Sequence, residues 1–132
     1  MIKIKQSIID HIIIHAHNIF PIEACGYLVG NGDTISQSFE LTNIDNSEEH
    51  FSFDPAEQFA VVRKTRNEGL EILANYHSHP NTPARPSEED IRMAYDRGIL
   101  YSIISLADTT SQIKAFKIHQ SKVKEIQIQI IS

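Results

Sequence analysis

The sequence predicts an α/β (α+β) fold, a mixed central sheet with helices packed against it, and three observations carry that expectation. Helical signals mark three segments, 5–20, 54–68 and 87–97, by apolar spacing in the first and by cap residues in the other two. Strand-like runs lie between and after them, some apolar on both faces and one alternating strictly. The two kinds of segment interleave along the chain, as they must when helices cover a sheet.

Lys5 to Phe20 places Ile9, Ile12, Ile13, Ala16 and Phe20 on one helical face, and Pro21 ends that helix. His11 and His15 lie four apart on it, with His17 nearby. No acidic residue is spaced to complete a metal site with them, so they read as solvated or helix-end histidines. Cys25 to Val29 is a strand, Gly30-Asn31-Gly32-Asp33 carries the Asn-Gly signal of a tight hairpin, and Thr34 to Leu41 returns. Thr42 to His50 is polar loop, and Phe51-Ser52-Phe53 a short strand. Asp54-Pro55-Ala56-Glu57 opens the second helix with an N-cap and a proline at its first position. Phe59, Val62 and Thr65 or Arg66 form its buried face before Gly69 stops it. From Leu70 to His77 the chain is apolar on both faces, a central strand. Alternation puts Leu73, Asn75, His77 and His79 on one face and Ile72, Ala74 and Tyr76 on the other. The third helix runs from about Ser87 to Arg97, with Ile91, Ala94 and Tyr95 inward and Gly98 as stop. Three strands close the chain, Leu100 to Leu106, Gln112 to Ile118 and Val123 to Ile131; in the last, isoleucines alternate with glutamines.

A chain of 132 residues is one domain's worth, so residues 1–132 are expected to share a single core. At 41% apolar and 22% charged, the composition is that of a soluble globular protein. A formal charge of −5 with scattered lysines and arginines argues against a nucleic-acid-binding surface. A lone cysteine, Cys25, excludes an internal disulfide, and no run approaches a signal peptide or membrane span, so the cytoplasm is the expected compartment.

The chemistry concentrates in one stretch. His77 and His79, two apart at a strand end, aim both imidazoles at one point. Pro80, Pro83 and Pro86 mark the following loop, after which Ser87 is an N-cap and Asp90 its reciprocal capping partner three residues on. Two imidazoles and a carboxylate suit a divalent ion of the zinc type, and three protein ligands with a fourth position open to solvent is the catalytic arrangement. Taken separately, the histidines would be ordinary strand-end polar residues, and Ser87 and Asp90 a plain helix cap.

The pattern His77-x-His79-Pro80, six residues, Ser87-x-x-Asp90 resembles the signature of the JAMM (JAB1/MPN/Mov34) metallopeptidases. Pro21-Ile22-Glu23-Ala24-Cys25-Gly26 matches the place where that family keeps an upstream glutamate, and the order of elements is similar end to end. The resemblance implies a zinc peptidase or isopeptidase with one Zn2+ per chain, held by His77, His79 and Asp90. It makes Glu23 the general base and Ser87 the hydroxyl that supports the oxyanion. Ala84-Arg85-Pro86 before the serine, and a chain without insertions, look more like the small free-standing prokaryotic members. Those act on ubiquitin-like sulfur-carrier proteins, at the bond after a C-terminal Gly-Gly.

Alternatives remain open at this level. A non-catalytic docking module of the same fold would bind a ubiquitin-like partner without hydrolysis, although none of the ligands is missing here. A RadC-like protein would have Ser-Gly after the proline, where this chain has Asn81-Thr82. Cys25 as a cysteine nucleophile lacks any activating feature in the sequence. Asn75 is a candidate to support a histidine, and Arg85 to bind a substrate carboxylate.

Overall fold

The computed structural model describes residues 1–96 and 98–132. The chain opens with β1 (Ile2–Lys5), a strand that the sequence did not predict, and passes without a loop into α1 (Gln6–Asn18). Lys5, expected to begin the helix, belongs to that strand and supplies no side-chain cap. β2 (Cys25–Asn31) and β3 (Thr34–Leu41) form the predicted hairpin. Its two-residue turn is Gly32-Asp33, one place later than the Asn-Gly pair suggested, with Asn31 paired to Thr34 and Ser36 of β3 bulged opposite Val29/Gly30. Gly32 has φ +60, which a first hairpin position demands and glycine supplies without strain. Phe51-Ser52-Phe53 makes only an isolated bridge, Phe53 to Asn43, instead of a strand.

α2 (Pro55–Asn67) starts where predicted, with the Asp54 carboxylate accepting from the Ala56 and Glu57 amides. Its buried face is Val61 and Thr65, not Phe59. Phe59 is 61% exposed beneath the Arg63 guanidinium, one helical position away from the stripe that meets the sheet. β4 (Glu71–His79) is the central strand, followed by α3 (Glu88–Arg92), β5 (Leu100–Ser105), β6 (Gln112–His119), β7 (Lys122–Ile126) and β8 (Ile128–Ile131). α3 is far shorter than 87–97: it closes at Met93, and Tyr95, expected inward, is 77% exposed. Arg97 lies outside the described residues.

The strand order is β7-β6-β5-β4-β2-β3-β1-β8, mixed as predicted: β4–β5, β1–β3 and β1–β8 are parallel and the remaining pairs antiparallel. The predicted last strand, Val123 to Ile131, breaks at Gln127. Ile126 pairs with Ala115 at one end of the order, and two residues later Ile128 pairs with Ile2 at the other. One residue cannot span a flat sheet of this width, so the sheet bends round until its ends meet. α1 packs inside that curve, where Ile9, Ile12 and Ala16 join Ile4, Leu28, Ile35, Ala74 and Tyr76. Phe20, expected on the same face, lies past the helix end and is half exposed. His15 is buried rather than solvated and bonds Tyr76 Oη at 2.7 Å, whereas His11 and His17 are exposed. α2 covers the other face, over Cys25, Tyr27, Val29 and Leu41.

β4 does not keep strict alternation. Its pairing with β2 slips between Leu28↔Ala74 and Val29↔Ile72, which leaves Leu73 bulged. Leu73 therefore packs with the core around α1, and Ile72 with the one under α2, the reverse of the alternation reading. From Ala74 onward the alternation holds. No described helix is long and apolar enough to cross a membrane.

Candidate metal centre

Beyond the bulge, Ala74 and Tyr76 face the core around α1, and Asn75, His77 and His79 face the opposite side. Cys25 sits beside His77 in register, so the segment just before β2, which holds Glu23, lies across from the histidines. Ser78, between the two imidazoles, fixes that juxtaposition. The Ser78 amide donates to Ala24 O at 2.9 Å, and Ala24 N donates to Ser78 Oγ at 2.7 Å. Asn43 adds a second tie, its Nδ2 donating to Glu23 O at 3.1 Å. Neither Ser78 nor Asn43 had been singled out from sequence; alternation alone could have turned Ser78 away from the ligand face, but Asn43 left no local signal.

The loop after β4 brings the third group. Ser105 Oγ donates to Thr82 O and Leu106 N to His79 O, which braces the loop on β5. α3 then begins with a reciprocal capping box, Asp90 N donating to Ser87 Oγ and Ser87 N to Asp90 Oδ2. That box turns Asp90 Oδ2 toward the strand end, 3.2 Å from His77 Nε2 and 3.0 Å from His79 Nε2, and the two Nε2 atoms are 3.1 Å apart. Phe51 stacks on the His77 ring at 4.8 Å between centroids.

Protonation states follow from the partners. His79 Nδ1 lies 2.9 Å from Pro83 O, and a carbonyl only accepts, so Nδ1 carries the proton and a neutral ring turns a bare Nε2 inward. Burial holds His77 below its ordinary value against the Asp90 hydrogen bond and charge, so this ring is neutral near pH 7. Burial also opposes ionisation of Asp90, but the hydrogen bond and charge at His77 and the bond from the Ser87 amide outweigh it and keep the carboxyl well below the usual range. In that His79 tautomer a bare imidazole nitrogen and a carboxylate oxygen face each other at 3.0 Å, an arrangement that a shared cation relieves. Donors placed about 2.0–2.1 Å from a tetrahedral centre stand roughly 3.3–3.4 Å apart, close to the 3.0–3.2 Å found here. The donor set and its spacing fit a divalent ion of the zinc type.

Two clefts meet at this cluster. One, about 340 Å³, includes His77 and Asp90 and is walled by Tyr27, Phe51, Phe53 and Ile103. The other, about 740 Å³, includes Glu23, His79 and Ser87. Glu23 is 3% exposed, and its Oε1 has no hydrogen-bond partner. Burial above all, then the charges of Asp90, Glu89 and Glu49, push its carboxyl up to about 9 in the metal-free chain. Ser87 is exposed at the rim, and because its Oγ accepts the Asp90 amide, its own O–H proton stays free to donate. Asn75 lines the first cleft with Oδ1 unpartnered and bonds neither histidine; Arg85 is exposed. Cys25 is fully buried, and burial with the charges of Glu23, Glu57 and Asp45 pushes its thiol up to about 12, the reverse of an activated nucleophile.

The family described as prokaryotic homologs of the JAB domain matches residues 5–119. The CysO-cysteine peptidase of Mycobacterium tuberculosis is 26% identical over 134 residues, spanning 99% of this chain and 92% of that protein. The desampylase of Pyrococcus furiosus is 26% identical over 108 residues, 81% of this chain and 75% of that protein. Among solved structures, protein DSY2949 from Desulfitobacterium hafniense is 42% identical and superposes with a TM-score of 0.90, over 99% of this chain and 93% of that one. With its His77-x-His79-Pro80 and Ser87-x-x-Asp90 residues gathered at one strand end, the chain belongs to the prokaryotic JAB-domain family.

Proposed function

We propose that this chain is a zinc peptidase, one ion per chain, that hydrolyses the bond after the C-terminal Gly-Gly of a ubiquitin-like, sulfur-carrier-type protein. In this reading His77, His79 and Asp90 hold the metal, Glu23 is the general base and Ser87 supports the oxyanion. The observation that carries it is the convergence of His77 Nε2, His79 Nε2 and Asp90 Oδ2 within 3.0–3.2 Å of one another, with the His79 tautomer fixed from behind by the Pro83 carbonyl. The names of two relatives, CysO-cysteine peptidase and desampylase, support cleavage of such carriers. We place residues 1–132 in one domain and the protein in the cytoplasm.

When bound, zinc lowers the pKa of water to about 7 and polarises the carbonyl under attack. Glu23 takes a proton from the attacking water as its oxygen bonds to the carbonyl carbon. The same carboxyl then hands that proton to the departing nitrogen as the C–N bond breaks. A cation beside Glu23 favours its ionised form and lets it take the proton, and its Oε1 has no other hydrogen-bond partner to compete for that proton. The Ser87 hydroxyl donates to the oxygen that gains charge, and its capping bond holds it in place beforehand. The Pro83 carbonyl orients the His79 imidazole from its far side, as partners behind metal ligands do.

The test is metal per chain, then cleavage of a carrier ending in Gly-Gly plus one residue, for wild type and Glu23→Gln. One ion in both, with turnover lost only in the variant, is expected, because the substitution removes a base and no ligand. Turnover retained by Glu23→Gln would reject that role. A wild type that binds no metal would favour a docking module instead.

A further inference from the structure

We infer that the larger cleft receives the leaving side of the scissile bond and selects for a positively charged leaving group. This rests on the peptidase reading and deepens it. A base that returns its proton to the departing nitrogen must lie on the side where the nitrogen leaves, and Glu23 lines the larger cleft and not the smaller. The acyl half, with its Gly-Gly tail, then lies along the smaller cleft, between Tyr27, Phe51 and Phe53.

The acidic side chains gather on the larger cleft, although Glu89 also borders the smaller one, which holds Asp96. Around the larger cleft Glu48, Glu49, Glu88 and Glu89 face a single cation, Arg92, and none of the five is in an ion pair among the described residues. The acidic rim does not stand alone: the Glu23 side chain, 3% exposed, lines the same cleft with Oε1 unpartnered, as a group awaiting a nitrogen donor would. Leaving segments with free lysine or arginine side chains are attracted to such a rim. A single amino acid carrying its free α-carboxylate is repelled by it. The cleft therefore favours basic leaving segments over a single amino acid with its free α-carboxylate.

The experiment compares kcat/KM of the zinc-loaded enzyme on a ubiquitin-like carrier extended past Gly-Gly by Lys-Lys amide or by Glu-Glu amide. A variant with Glu48→Gln, Glu49→Gln and Glu88→Gln is run beside it; all three side chains are exposed, so the fold is kept. The wild type should prefer the lysyl substrate about tenfold at low ionic strength, and less as salt is raised. In the variant the preference should fall to within about twofold. Equal rates on the two substrates in the wild type, or a preference that survives the triple substitution, overturn the inference while leaving the peptidase standing. No turnover of either substrate overturns the peptidase reading, and this inference with it.

Discussion

Replacing Glu23 by glutamine should stabilise the metal-free protein, and by an amount that grows with pH. The carboxyl is 3% exposed, lacks a partner for Oε1 and is pushed from its ordinary value of 4.5 up to about 9, chiefly by burial. Below pH 4.5 the group is protonated in both folded and unfolded chains and costs nothing. Above it, the unfolded chain ionises while the folded chain must keep its proton, so stability is lost at about 1.4 kcal/mol per pH unit until the folded value is reached. By pH 7.5 the loss approaches about 4 kcal/mol, and solvent entering the open cleft reduces it to about 2–3 kcal/mol. For a chain of this size that is roughly 10 °C in Tm.

Glutamine keeps the shape and never ionises, so other titrations cancel in the difference between the two proteins. Thermal melts with a chelator at pH 4.5, 6, 7.5 and 9 should show coincident Tm values at the lowest pH and a widening advantage for Glu23→Gln above it. A difference that does not change with pH, or a wild type that is the more stable at pH 9, would refute the reasoning. Zinc should reduce or reverse the gap, because a cation beside Glu23 stabilises its ionised form.

Two further outcomes follow from the core. Gly26 pairs with Tyr76, and a Cβ there would run into the Phe39 carbonyl and the Tyr76 ring, with Tyr76 Cζ at 2.7 Å; Gly26→Ala should cost about 3 kcal/mol or more, read as a fall in the denaturation midpoint. The Cys25 thiol, fully buried and pushed up to about 12, should resist a disulfide reagent at pH 7.5 at any rate faster than unfolding, and Cys25→Ala should keep full turnover.

Elements whose signals are local were legible in the sequence. The Asp54-Pro55 helix start, the β2–β3 hairpin and the Ser87–Asp90 capping box each depend on residues within a few positions of one another, and each formed where expected. Three of the failures share one physical cause, which is that a distant strand decided the outcome. β1 is four residues long and is a strand only because β3 and β8 pair with it. Gln127 interrupts an otherwise regular alternation because the closing sheet needs a crossing there. Leu73 bulges because β2 slips against β4, and no periodicity within β4 reveals that.

The metal centre divides along the same line. His77, His79, Ser87 and Asp90 span fourteen residues, so a strand end, a proline-marked loop and a capped helix are enough to bring them together from local chemistry. Glu23 is different, since it lies 54 residues before His77 and reaches the site through the β2–β4 pairing and the Ser78–Ala24 bonds. Its role was therefore an expectation from family resemblance, where the ligands could be argued from spacing. The rim glutamates are further removed still: Glu48 and Glu49 come from the loop after β3, and Glu88 and Glu89 from α3, two segments with no common sequence pattern. It follows that metal binding and leaving-group choice are separable in this chain. The proposed ligands His77, His79 and Asp90 are held by short-range geometry that few substitutions could preserve, whereas Glu48, Glu49 and Glu88 around the larger cleft are exposed and can change without touching them.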